Sequence, residues 1–142
     1  MFFVCVLSVS LLGCNLTNKE YPTKEAIQYL LDNVEDADSL IIESVEWVED
    51  DYDTIIYVIS YDTKNDSNEY LGYKTCFITY FEHPEEHPLR PSNMFNITFN
   101  DNDSYEVTDA KYQKALQDNN NQGQLTNQEI DQMLIEIRSP KS

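Results

Sequence analysis

Thr54-Ile55-Ile56-Tyr57-Val58-Ile59-Ser60-Tyr61 decides the fold. β-Branched and aromatic residues fill it almost throughout, which suits a pleated strand. Alternation assigns Ile55, Tyr57, Ile59 and Tyr61 to one face, and Ile56 and Val58 to the other. A strand that is apolar on both faces is central in its sheet and covered on both sides. The rest of the chain must therefore supply flanking strands and covering helices.

Three further runs read as strands. Leu40 to Val48 alternates, with Ile41, Val45 and Trp47 on one face. Gly72 to Phe81 places Tyr73, Phe77 and Phe81 on one face and Cys76, Ile78 and Tyr80 on the other. Met94 to Phe99 sets Phe95, Ile97 and Phe99 against polar Asn96 and Thr98. The connections are short and acidic (Glu49-Asp50-Asp51) or longer and polar (Asp62 to Leu71). Parallel pairing needs long crossovers, so an antiparallel meander is expected.

Helical spacing brackets these strands. Thr23 reads as an N-cap, followed by Ile27, Leu30, Leu31 and Val34 at i, i+3, i+4, i+7. The acidic run Glu35-Asp36-Ala37-Asp38-Ser39 ends that helix, because the dipole disfavours negative charge at a C-terminus. Tyr112, Ala115 and Leu116 mark a second helix, and Ile130, Met133, Leu134 and Ile137 a third. Thr126-Asn127-Gln128-Glu129 forms a capping box at the start of the third. The expected class is α+β: an N-terminal helix packed on a roughly four-stranded antiparallel sheet, followed by a C-terminal helical hairpin. Residues 23–101 would hold the helix and sheet, and residues 102–142 the helix-loop-helix, which covers part of the second face.

The formal net charge of −17, from 26 acidic and nine basic residues, belongs wholly to the part after residue 13. Such a surface repels nucleic acid, whose binding rests on Lys and Arg meeting phosphates. It also repels anionic lipid headgroups. The partners it favours are cationic ligands, divalent ions, basic peptides or basic protein faces; solvation of an exported domain is the simpler account of the charge. The 41% hydrophobic and 12% aromatic content is enough for a packed core despite the charge. Three cysteines, Cys5, Cys14 and Cys76, supply no disulfide framework. Cys76 lies in a strand-like run and is expected to be a buried, inert thiol.

The run from Phe2 to Leu12 is apolar and uncharged, and too short for a membrane span of about 20 residues. It ends in Leu11-Leu12-Gly13-Cys14, which resembles a bacterial lipobox. That resemblance implies a lipoprotein signal peptide over residues 1–13, cut between Gly13 and Cys14. It implies a covalent diacylglyceryl lipid on Cys14, and a polar tether completing residues 14–22. The chain would then be lipid-anchored at a bacterial cell membrane and face away from the cytoplasm. No Lys or Arg precedes Cys14, where lipoprotein signals carry a positive segment. A cleaved secretory signal, or a buried N-terminal strand in a cytoplasmic chain, is the competing reading.

Ala26, Leu30-Leu31, Asp36-Ala37-Asp38-Ser39-Leu40, Lys64-Asn65 and Gly72-Tyr73 resemble small exported bacterial domains of cystatin-like α+β shape. The likeness covers residues 24–82, and such domains often have Pro where Ala37 stands here. It implies a fold and no activity.

Asp118 to Glu129 resembles an EF-hand calcium loop. Asp118, Asn120, Gln122, Gln124, Thr126 and Glu129 fall at positions 1, 3, 5, 7, 9 and 12, and Gly123 at position 6, where the loop must bend sharply. Leu125 takes the apolar position 8. Only Asp118 and Glu129 carry charge, so a dissociation constant of about 0.1–1 mM for Ca²⁺ is the most to expect. A plain polar loop with Gly123 as turn residue accounts for the same residues.

His83-Pro84-Glu85-Glu86-His87-Pro88 spaces two imidazoles four apart, but its prolines forbid a continuous helix, so it reads as a rigid loop. Asp101-Asn102-Asp103 reads as a solvated turn. There is no Gly-rich phosphate loop or nucleophile elbow, and no pair of carboxylates stands out. The sequence therefore points to a lipid-anchored, non-enzymatic accessory or binding module at the cell envelope. Membrane attachment through the lipid and an unidentified envelope protein or cationic ligand are its expected partners. A calcium-binding exported domain is the alternative. Tyr52, Tyr70 and Tyr105 are the aromatic candidates for a binding patch.

Overall fold

The computed structural model describes residues 21–51, 54–82 and 94–139. The lipobox with Gly13 and Cys14, the two histidines, and Tyr52 lie outside the described residues. Within them the chain runs α1 (Thr23–Asn33), a 3₁₀ turn (Ala37–Ser39), β1 (Ile41–Asp50), β2 (Thr54–Asp62), β3 (Lys74–Phe81) and β4 (Phe95–Phe99). It continues with α2 (Tyr105–Gln117), β5 (Gln122–Gln124) and α3 (Asn127–Arg138). The class is α+β, and all strand pairs are antiparallel. The sheet order is β4-β3-β2-β1-β5, a four-strand meander with one short strand added at the β1 edge.

β2 is central and buried along nearly its whole length. Its Ile55, Tyr57, Ile59 and Tyr61 join Val45, Cys76 and Ile78 beneath α1 and α3. From the helices, Ala26, Ile27, Leu30, Ile130 and Leu134 close this larger core. On the opposite face Ile56, Val48 and Phe77 meet Tyr112 and Ala115 of α2, with Val58, Tyr105 and Leu116 at the margin. The Phe77 ring packs tilted against both Tyr105 and Tyr112, at centroid separations of 4.9 and 5.8 Å.

The expected C-terminal helical hairpin does not form. α2 and α3 cover opposite faces of the sheet. The reason is the two-faced apolar pattern of β2: Ile56 and Val58 need cover that α1 cannot give. Leu134 and Ile130 complete the core that α1 leaves open. The chain therefore crosses the sheet edge between the two helices, and the crossing itself becomes the fifth strand.

Two local assignments change for identifiable reasons. Thr23 is the first helical residue rather than the N-cap, which is Pro22. Its hydroxyl faces inward and hydrogen-bonds the Tyr57 hydroxyl at 3.3 Å, giving a buried phenol its partner. Ile41 faces out at 37% exposure, whereas Ile42 packs on the core with Val45 and Trp47. A bulge between Ile42 and Ser44 shifts the register by one residue. One extra residue inverts the alternation on one side of the bulge. Ser60 Oγ donates to the carboxylate of Glu43, the extra residue, at 2.8 Å.

The crossing is tightly specified. Asn119, at φ 59°, takes the left-handed position after α2. Its N–H reaches Leu116 O, and the N–H of Asn120 reaches Ala115 O, the two bonds of a Schellman ending. Glu49 N–H then donates to Asn121 O, and Leu125 N–H to Val45 O, so β5 is bonded to β1 at both ends. Gly123 sits directly opposite Trp47. The indole lies over it so closely that an added Cβ would fall 2.8 Å from Cε2. α3 then begins on the expected capping box, with Glu129 N–H to Thr126 Oγ1 at 3.1 Å and Thr126 N–H to Glu129 Oε1 at 2.8 Å.

Replacing Gly123 by Ala drives a methyl into the indole. It is expected to cost about 1–3 kcal/mol of stability, with a matching fall in the urea midpoint at unchanged slope.

Candidate functional site

The residues singled out for calcium are engaged in this crossing. Asp118 ends α2, and its carboxylate accepts from Lys114 Nζ at 2.7 Å. Asn120 Nδ2 donates to Glu49 O at 3.0 Å, across to β1. Gln122 and Gln124 are outer residues of β5, with Gly123 extended between them rather than at a sharp turn. Thr126 and Glu129 cap each other. The loop is thus bonded to the sheet along its length.

The aromatic candidates are likewise tied into the structure. Tyr70 donates its hydroxyl proton to Ser39 O at 2.6 Å and carries the Lys64 ammonium over its ring, 5.6 Å from the centroid. Tyr105 packs on Phe77 and hydrogen-bonds the Thr75 hydroxyl. Leu71 and Tyr73, 77% and 51% exposed, are the open apolar positions of the same β2–β3 connection. Buried Asp62 shapes this connection: its carboxylate accepts from the N–H groups of Thr63 and Gly72, both at 2.9 Å. Gly72 takes φ +120°, a conformation that a residue with Cβ resists. The Cys76 thiol is buried and pushed up to about 12 by desolvation, so it stays a protonated, inert thiol at neutral pH.

Among the described residues, two concave regions stand out. One groove, of about 690 Å³, runs between the start of β1 and the end of α3 and is lined by Ile41, Ile42, Leu134 and Ile135. Arg138 closes its end, donating to Ala37 O and Leu40 O at 3.0 Å each.

The other is a cavity of about 580 Å³ at the open end of the larger core, where α1 stops. The end of α1, the β2–β3 connection, the first residue of β3 and the exit from β4 surround it. Tyr61 and Phe99 supply aromatic surface. Strand register builds that surface: Tyr61 pairs with Lys74, and Cys76, two residues on, pairs with Phe99. Four acidic residues, Glu35, Asp36, Asp66 and Asp101, line the cavity against two lysines, Lys64 and Lys74. Lys74 Nζ stands 5.5 Å from the centroid of the Tyr61 ring. Tyr61 itself is only 2% exposed. Burial, with the charges of Asp101 and Asp62, pushes its phenol well above the usual range. Its hydroxyl has no hydrogen-bond partner among the described residues.

Tyr61 was legible as a core residue but not as a cavity residue, because its neighbours come from four separate segments. The one local hint is a phenol ending a strand beside a buried carboxylate, Asp62.

Neither a family model, nor a curated protein, nor a solved structure matches this chain.

Two measurements follow. Asp62→Ala removes the acceptor of two backbone N–H groups and is expected to lower stability by about 2 kcal/mol, read by thermal or urea unfolding. Chelation of Ca²⁺ by Asp118, Asn120 and Glu129 would draw them from Lys114, Glu49 O and Thr126 and so disturb β5 beside Trp47, the sole tryptophan. With β5 kept in place, tryptophan emission is expected to stay constant through millimolar Ca²⁺; a saturable change would instead support the calcium loop.

Proposed function

We propose that this chain is a lipid-anchored domain of a bacterial cell envelope, held through Cys14, that acts as a non-enzymatic binding module. The observation that carries the reading is Leu11-Leu12-Gly13-Cys14 at the end of an uncharged apolar run. Residues 15–22 then separate Cys14 from α1. Eight residues span at most about 28 Å, so the anchor would keep the domain at the bilayer surface. Among the described residues no helix is long and apolar enough to cross a membrane. A thioether-linked diacylglyceryl group, with about 0.8 kcal/mol gained per buried methylene, would hold it there.

The acidic surface supports a stand-off orientation. Anionic headgroups repel it, so the domain would turn away from the lipid and present itself to solvent and to cationic partners. A binding role is supported by a preformed concavity of the size that small molecules occupy, with mostly polar and charged walls and aromatic residues Tyr61 and Phe99 among them.

The test is metabolic labelling with an alkyne-bearing fatty acid, followed by membrane fractionation. The wild-type chain should take up label and sediment with membranes; Cys14→Ser should lose the label and the membrane association together. Unlabelled, freely soluble wild-type protein would overturn the reading.

A further inference from the structure

We propose that the cavity at the end of α1 binds a small organic cation, an ammonium-bearing molecule whose hydrocarbon part lies against Phe99 and whose charged end meets the Tyr61 hydroxyl and the acidic wall. This rests on reading the domain as a binding module, and it names the ligand class of its site.

Four features of the cavity select that class. The first is charge: four acidic residues face two lysines. Among the described residues, none of the carboxylates of Glu35, Asp36, Asp66 and Asp101 has an ion-pair or hydrogen-bond partner, so their acceptor capacity is open. The second is the helix end. α1 stops at Asn33 with no basic residue in its last turn, and its terminal carbonyls add negative potential at the cavity. The third is the Tyr61 hydroxyl. A buried polar group without a partner is costly and rare, and it calls for an occupant that supplies one. An ammonium N–H beside the phenol would donate to its oxygen and also face the carboxylate of Asp101. The fourth is Phe99, a half-buried ring on the cavity wall that gives a hydrocarbon chain a surface to lie against, while the face of Tyr61 is already covered by the Lys74 ammonium.

The aromatic surface separates an organic cation from a bare metal ion. A hard cation gathers oxygens and gains nothing from Phe99. An alkylammonium gains from both parts of the wall, burying methylenes on the ring and donating to the carboxylates. The net charge of −17 would raise the local concentration of such a ligand before it docks.

The probe is 1,4-diaminobutane, with uncharged 1,4-butanediol as its matched control. Both are titrated calorimetrically, at 0.15 M salt, into the full chain held in a nonionic detergent. The diamine is expected to bind saturably and the diol not at all. Tyr61→Phe removes only the hydroxyl and should weaken the diamine about tenfold. Asp101→Asn, at an exposed position, should weaken it by a similar factor without touching the core. Asp131→Asn, in the other groove, should leave it unchanged.

Diamine binding that is equal in wild type, Tyr61→Phe and Asp101→Asn would be diffuse attraction to an acidic surface, and would overturn the assignment. Diol binding as tight as the diamine, and lost in Tyr61→Phe, would make the cavity a site for neutral polyols; the cation would be wrong and the binding module right. No binding of either probe would leave the cavity to solvent and overturn the proposal. The labelling of Cys14 would still decide the anchoring separately.

Discussion

Burial of β2 on both faces is the constraint on which the rest of the structure depends. Apolar residues at successive positions of one strand cannot all face a single layer, because side chains alternate across the pleat. Ile55, Tyr57 and Ile59 are satisfied by α1 and α3, and Ile56 by α2. A sheet with helices on both faces obliges the chain to pass its own edge. Here the passage occurs after α2, at the free side of β1.

The passage turns a polar, low-complexity stretch into structure. Asn119 ends the helix, Asn120 and Asn121 bond to Glu49, and Gln122 to Gln124 pair with β1. Trp47 fills the space that a side chain at Gly123 would need. These residues also cover part of an edge that would otherwise present unpaired backbone to other chains. Arg138 ties the end of α3 to the entry of β1, by donating to the carbonyls of Ala37 and Leu40. A run of Asn, Gln and Gly with an acid at each end thus forms the passage from one face of the sheet to the other.

The cavity is the counterpart of this economy at the opposite end of the sheet. α1 stops after three turns, at Asn33, before it reaches the end of β2. Tyr61 and Phe99 therefore lie beneath its exit rather than beneath its side. Polar and acidic residues from the helix exit and from two connections complete the walls. The same acidic run that ends the helix, Glu35-Asp36, becomes cavity wall.

Much of the fold was legible in residue periods. Ile27, Leu30 and Leu31 announced the buried stripe of α1, Thr126 and Glu129 the start of α3, and the β2 pattern a central, two-faced strand. The two-residue and 3.6-residue periods are local properties, so the sequence by itself determined which segments are helix or strand and which faces are apolar. It also determined the acidic charge and, through Leu11 to Cys14, the proposal of an anchor. What it left open depends on distant partners. The bulge beside Glu43 that turns Ile42 inward is set by register with Ser60 and Tyr61. The side taken by α3 is set by the space α1 leaves, and β5 by a neighbour about 75 residues away in the chain. The cavity needs Asn33, Tyr61, Lys74, Phe99 and Asp101 at one place, and only tertiary packing brings five separated positions together, because no local pattern encodes a meeting of segments.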